Sequence, residues 1–226
     1  MVINYLQQLE TVLSSSPADV FSGQSLEIRK MTNAAGCDIA EHVPTLIRYG
    51  RQCKRITEMG VRFGWSTRSF LYARPEKLSS IDKYEWNSVH QSGLIQTPGN
   101  SEFKKYQKLY EGVVNFTYTL SDTTKLDPIP ETDLLFIDTY HHASCLSIEL
   151  DKHGNQAKKF IILHDTETFG EKGQKDKGGT FLDWDTTDEP GTGLRYAIEP
   201  WLAKNPHWQV REVFRNNNGL TILEKI

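Results

Sequence analysis

Apolar residues recur along this chain in two rhythms, and the switches between them predict the order of elements. Residues 3–13 place Ile3, Leu6, Leu9 and Val12 or Leu13 at helical spacing, and the SSSP run behind them closes that helix. Residues 17–36 are weakly patterned and read as a short helix with a loop. Asp38 with Glu41 makes a start like a capping box, and Val43, Leu46, Ile47 and Tyr49 carry a helix to about Cys53. A short extended run over 55–59 leads to Gly60 and Gly64, then a helix from near Ser66 that stops before Pro75. A second run over 78–81 ends on Asp82. A polar stretch over 88–100 precedes a helix over 101–111, whose Phe103, Tyr106, Leu109 and Tyr110 form a core-facing stripe.

The second half changes rhythm. Residues 113–120 alternate as a strand, whereas 134–137 and 160–163 are continuous apolar runs, the mark of strands buried on both faces. A helix over 142–152 joins those two runs as a parallel crossover. Residues 166–191 are polar and glycine-rich, with Phe181 and Trp184 as isolated aromatics, and a connection of that length reads as a lid or binding loop. A helix over 192–204 follows, and the strands 208–214 and 220–224 flank NNNG, the strongest hairpin signal in the chain. The sum is an α/β fold: a Rossmann-like, seven-stranded, mostly parallel sheet with a C-terminal antiparallel hairpin and helices on both faces. Residues 1–37 read as an N-terminal helical extension and 38–226 as one domain, since no linker divides two cores.

The chemistry gathers at the strand tips. Four predicted strands end on Asp82, Asp122, Asp138 and Asp165, the edge of a parallel sheet at which ligands sit. Acids so clustered cost folding free energy unless a cation or hydrogen-bond donors offset them. The turn between the first two strands lets backbone approach a ligand closely, and the unpaired amides of the following helix suit an anionic group. Asp82 is placed to take both hydroxyls of a ribose. The glycine spacing lacks the G-x-G-x-x-G of a dinucleotide turn.

What stands there instead, E-x-G-x-x-x-G-x-S over Glu58, Gly60, Gly64 and Ser66 with Asp82 beyond, resembles motif I of the class I S-adenosylmethionine-dependent methyltransferases. The branch it resembles holds the small-molecule O-methyltransferases and the cephalosporin-hydroxylase-like proteins. The resemblance implies that Gly60, Val61, Arg62 and Gly64 cradle the methionine part of S-adenosylmethionine, with Ser66 and nearby amides on its carboxylate. Glu58 would belong to the same cofactor site, Asp82 would bind the ribose, and Ser121 and Asp122 would flank the adenine. LLFIDTYHH resembles the strand whose terminal aspartate, here Asp138, binds a divalent cation near the cofactor's amine in metal-dependent members. Their following strand presents Asp-Asp or Asp-Asn, and here it presents His164-Asp165. A cation on Asp138, His164 and Asp165 is therefore one reading. Two carboxylates and water suit Mg²⁺, a histidine ligand shifts the preference toward Mn²⁺, Fe²⁺ or Zn²⁺, and His164 as proton acceptor or packing residue stays open beside it. The expected catalytic groups are Asp138, His141 and His164, a histidine being able to take the acceptor's proton near neutrality. The implied reaction is methylation of a hydroxyl on a small molecule or sugar. A metal-dependent hydrolase on Asp138, His141, His164 and Asp165, and a noncatalytic nucleotide-binding module, are the rivals.

Composition narrows the setting. A net charge of -3 argues against a dedicated nucleic-acid partner, because phosphate binding needs a basic field. Cys37, Cys53 and Cys145 are odd in number and widely spaced, as for reduced packing residues. The N-terminus has no basic n-region and no run approaches membrane-spanning length, so the expectation is a cytoplasmic protein without a membrane partner. The N-terminal region is expected to cover the substrate or contact a second copy in a homodimer, by resemblance alone.

Overall fold

The computed structural model describes residues 38–84, 99–178 and 181–226. The helix expected over 3–13, the segment 17–36 and most of the polar stretch 88–100 lie outside the described residues. Seven strands are described: β1 (Arg55–Met59), β2 (Lys77–Asp82), β3 (Asn115–Leu120), β4 (Thr132–Ile137), β5 (Ala157–His164), β6 (Trp208–Phe214) and β7 (Leu220–Lys225). They form one sheet in the order β3-β2-β1-β4-β5-β7-β6. β1, β2, β3, β4 and β5 pair in parallel, and β7 runs antiparallel to both β5 and β6.

The period of two along the strands builds a core on each face of the sheet. Ile56, Leu134, Phe136, Phe160, Ile162, Leu220 and Ile222 fall in one cluster, while Met59, Leu135, Ile137, Ile161, Leu163 and Leu223 fall in the other. The first cluster is covered by α1 (Val43–Gly50), α2 (Trp65–Ala73) and α3 (Gly99–Leu109), through Leu46, Tyr49, Phe70, Leu71 and Tyr106. The second is covered by α4 (Ala143–His153) and α5 (Arg195–Lys204), through Leu146, Leu150, Ala197, Ile198 and Trp201. Each fully buried side chain of this size stabilises the fold by roughly 1.5–3 kcal/mol, so both layers hold the strand tips in register.

Several element boundaries differ from the sequence expectation, each for a local reason. Asp38 does not cap the first helix. Its carboxylate pairs with Arg62 at 2.8 Å, and a 3-10 turn, Ala40–His42, precedes α1. The Glu41 amide, within that 3-10 turn, donates instead to Asn217 Oδ1 at 3.0 Å, so the distant hairpin turn holds the approach to α1. α2 opens one residue earlier than expected, at Trp65, behind Gly64 at φ 70°. β3 opens at Asn115 because the Val113 and Val114 amides both donate to Tyr110 O, rounding a turn through Gly112. α5 opens at Arg195, three residues late, and β5 is longer at both ends than the apolar run 160–163. His164 is therefore the last residue of the strand and not the first beyond it.

Candidate active site

The carboxyl ends of the parallel strands open into a cleft of about 480 Å³ that crosses the sheet laterally, within the roughly 300–1,000 Å³ usual for small-ligand sites. Following the strand order, its lining runs from Asp122, Thr123 and Thr124 after β3 to Ile81–Tyr84 at β2 and 60–63 after β1. It continues through 138–141 after β4 and Asp165, Thr168 and Phe169 after β5 to Asn218 in the hairpin turn.

The β1 tip is fixed by backbone and by Asp82. Gly60 has φ +85°, and a Cβ there would lie 1.9 Å from Asp138 O, so only glycine fits between the β1 and β4 tips. Asp82 Oδ2 accepts the Val61 and Arg62 amides at 2.7 and 3.0 Å, and Oδ1 accepts the Tyr84 amide at 2.9 Å. The acid expected to hold a ribose thus already pins the turn that carries Arg62 at φ 47°, and Asp82 lines the cleft. Glu58 and Ser66 sit elsewhere than the cofactor reading expected. Ser66 Oγ, Thr67 Oγ1 and Ser80 Oγ donate to the Glu58 carboxylate at 2.5, 2.7 and 2.5 Å, all buried and outside the cleft lining. Burial pushes Glu58 up to about 7, against the pull of those three hydroxyls. Ser121 does not line the cleft; its amide donates to Asp82 O at 2.7 Å. Asp122 does line it, with Oδ1 taking the Thr124 amide and hydroxyl and Oδ2 lying 3.3 Å from Lys83 Nζ. Burial opposes its charge, and those donors outweigh burial to hold it below the usual carboxylate range.

Four titratable groups meet at the β4 and β5 tips. Asp165 adopts φ 59°, a left-handed conformation that aspartate tolerates better than most residues, as the chain reverses after β5. His141 Nε2 lies 2.7 Å from Asp165 Oδ2 and 3.4 Å from Asp138 Oδ1. Its Nδ1 is 2.9 Å from Gln174 Oε1, and its ring stacks on Phe169 at 4.7 Å and 8°. Burial disfavours the imidazolium, yet hydrogen bonds to Asp138 and Asp165 raise His141 to about 10. His164 is raised to about 9, its burial outweighed by the Asp138 charge. Asp138 is held well below the carboxylate range, its burial overcome by the two histidines.

The cation ligands expected were Asp138, His164 and Asp165. The ligand atoms that converge, all within 4.8 Å of one another, belong to Asp138, His141 and Asp165. His164 lies behind that cluster at 2 % exposure, outside the cleft lining, with Nε2 donating to Asp38 O at 3.1 Å and its ring against His42. Asp165 Oδ1 is buried and has no hydrogen-bond partner among the described residues. A buried oxygen without a donor beside a second carboxylate and an imidazole nitrogen is a donor set that fits a divalent cation.

Compared by sequence, the chain matches no protein-family model and no curated protein. Compared by structure, it is similar over 99% of its length to 99% of a protein assigned as a caffeoyl-CoA O-methyltransferase in Staphylococcus aureus, at 14% identity and TM-score 0.54. A protein assigned as an O-methyltransferase in Klebsiella pneumoniae aligns over 97% of this chain and 96% of its own, at 16% identity and TM-score 0.50. The fold is that of the class I methyltransferases. The N-methyltransferase NodS of Bradyrhizobium japonicum has it too, aligning over 84% of this chain and 98% of its own at 10% identity and TM-score 0.52.

On this methyltransferase fold the segment over 166–191 adds groups to the cleft, of which sequence pattern singled out only Phe181. It doubles back through bridges between Lys172 and Pro190 and between Asp176 and Thr186. Phe169, Gln174, Phe181 and Leu182 thereby reach the cleft, and Lys83 Nζ donates to Phe181 O at 2.8 Å. Isolated aromatics in a polar run were the available signal for Phe181. Gln174 carried none, because its importance depends on the fold of its own loop.

Proposed function

We propose that this protein is an S-adenosylmethionine-dependent methyltransferase acting on a hydroxyl of a small molecule or sugar, with a divalent cation assisting. The observation that carries the reading is that one cleft is lined at once by Gly60, Asp82, Asp122 and Asp138, the strand-tip groups that an adenosyl cofactor needs on neighbouring strands. The β3, β2 and β1 tips form the cofactor half, with the adenosine toward Asp82 and Asp122 and the methionine part toward Gly60, Val61 and Arg62. The β4, β5 and hairpin-turn end, with Asp138, His141, Asp165, Phe169 and Gln174, forms the acceptor half.

Methyl transfer from a sulfonium forms a carbon–oxygen bond as the sulfur–carbon bond breaks, the electron pair leaving on sulfur, and the acceptor hydroxyl gives up its proton. With its proton held between Asp165 and Asp138, His141 is not a base near neutral pH; His164, raised likewise and outside the lining, is not one either. A divalent cation, when bound, would lower the acceptor hydroxyl's pKa so that its proton is lost to solvent as the acceptor binds. Asp138, Asp165 and the Nε2 of His141 would hold it, exchanging the imidazolium proton for the metal. Phe169 and Gln174 keep the ring in place, and the segment over 166–191 excludes water from the cleft.

Calorimetric titration of S-adenosylhomocysteine into wild type and Asp82→Ala tests this. The loss of charge-assisted hydrogen bonds, about 1.5–3 kcal/mol, predicts binding weaker by roughly ten- to a hundredfold. Equal affinity in the two proteins removes Asp82 from the cofactor site. The convergence of Asp138, His141 and Asp165 also favours a metal-dependent hydrolase. That reading stands instead if metal-dependent turnover of an ester or phosphoester proceeds with no sulfonium cofactor and S-adenosylhomocysteine does not bind.

A further inference from the structure

We propose that Gln174 is the positioning residue of the Asp138, His141 and Asp165 cluster, and that it couples a bound divalent cation to the docked state of the segment over 166–191. The inference rests on the cation reading given above.

The two nitrogens of His141 have different surroundings. Nε2 faces the two carboxylates, whereas Nδ1 meets Gln174 Oε1 at 2.9 Å. An amide oxygen only accepts, so Nδ1 keeps its hydrogen, and Nε2 is the nitrogen that can give up its proton and offer a lone pair to a cation on the cluster. Phe169 fixes the ring plane by stacking. A histidine that ligates a metal regularly donates its other N–H to such a partner, and removing the partner weakens metal binding by about 10–100-fold.

Gln174 reaches this position only when its own segment is folded back. The Gln174 amide donates to His141 O at 2.7 Å, and Gln174 O accepts from Tyr140 Oη and Thr186 Oγ1, each at 2.9 Å. The residue is therefore tied to the β4 tip by its backbone and to the imidazole by its side chain. Coupling of this kind is reciprocal: the factor by which docking raises cation affinity is the factor by which the cation stabilises docking.

The test is calorimetric titration of Mn²⁺ into the full chain as wild type, Gln174→Leu, Gln174→Glu and Asp138→Asn, paired with limited trypsin cleavage at the exposed Lys175 and Lys177. Gln174→Leu removes the acceptor for Nδ1 and leaves all three backbone bonds, so the segment keeps its path. Binding about tenfold or more weaker is expected in Gln174→Leu, with recovery in Gln174→Glu, where a carboxylate oxygen again accepts from Nδ1. Mn²⁺ is expected to slow cleavage of wild type and to protect Gln174→Leu less at the same concentration. Equal Mn²⁺ affinity in wild type and Gln174→Leu, or cleavage of wild type that Mn²⁺ does not slow, overturns the coupling while leaving the cation site standing. A wild type that binds no Mn²⁺, or binds it no better than Asp138→Asn, overturns the cation reading and this inference with it.

Discussion

Glu58 has no exposed surface, yet three hydroxyls from two elements converge on its carboxylate. Ser66 and Thr67 belong to the first turn of α2 and Ser80 to β2, so one side chain of β1 binds the helix start and the neighbouring strand. Glu149 of α4 repeats the device on the other side of the sheet, accepting from Thr123 and from Thr139 at 2.7 Å, both of which line the cleft. Removing a buried acceptor leaves its donors unpaired at about 1–3 kcal/mol each. Glu58→Ala is therefore expected to lower unfolding free energy by roughly 3 kcal/mol, read from the urea midpoint. A loss below about 1 kcal/mol would mean that the hydroxyls find other partners. Asp82 has a related double part, holding the turn with the oxygens expected to meet a ribose, so circular dichroism must accompany any binding loss in Asp82→Ala.

At the scale of elements, the turn between β6 and β7 does more than close a hairpin. Asn217, Asn218 and Gly219 all have positive φ, the sequence NNNG being suited to that backbone. Asn218 O accepts the Glu167 and Thr168 amides, Asn217 Oδ1 accepts the Glu41 amide, and the Asn216 and Asn217 carbonyls accept His42 Nε2. One turn thus holds the 3-10 turn in front of α1, anchors the start of the long segment and supplies Asn218 to the cleft. Gly219 sits at φ +94°, and a Cβ there would lie 2.4 Å from the Glu167 amide nitrogen. Gly219→Ala is expected to cost roughly 1–3 kcal/mol, seen as a lowered melting temperature. Because β7 lies four strands from β2, S-adenosylhomocysteine affinity should stay within about twofold. A larger loss would show that the two halves of the cleft are not independent.

For the whole molecule, the buried titratable groups set a pH dependence whose sign follows from their shifts. His141 and His164 have folded values of about 10 and 9 against an ordinary 6.5, so their contribution is full below 6.5 and is lost as pH rises toward those values. Glu58 and Glu149, raised by burial to about 7 from 4.5, also lose stability as pH rises, across 4.5 to 7. His42 runs the other way: lowered to about 4 by burial and by His164, it contributes stability above 6.5 that is lost as pH falls toward 4. Stability in chelator should peak on the acid side of neutrality and fall between about 6.5 and 9. Urea unfolding at both ends of that window checks this, and greater stability at the alkaline end would show that the two histidines are not held protonated.

The sequence by itself determined the sheet and most of its order of elements. Continuous apolar runs at 134–137 and 160–163 can be satisfied only between two covered faces, and the glycine turn and NNNG have few backbone solutions. It also placed Gly60, Asp82, Asp122 and Asp138 at one edge, because a parallel sheet brings every strand's carboxyl end to the same side. Tertiary structure decided which way side chains point at that edge. The sequence pattern pointed to His164 as the cation ligand, and only the extension of β5 to His164 and the left-handed Asp165 after it turned that imidazole behind the cluster and His141 into it. Glu58 and Ser66 belonged to a ligand motif on paper and bond to each other in the fold, because a buried carboxylate takes the nearest donors. Gln174 emerged last, its partner 33 residues away and its role fixed by a loop that carries no periodic pattern to read.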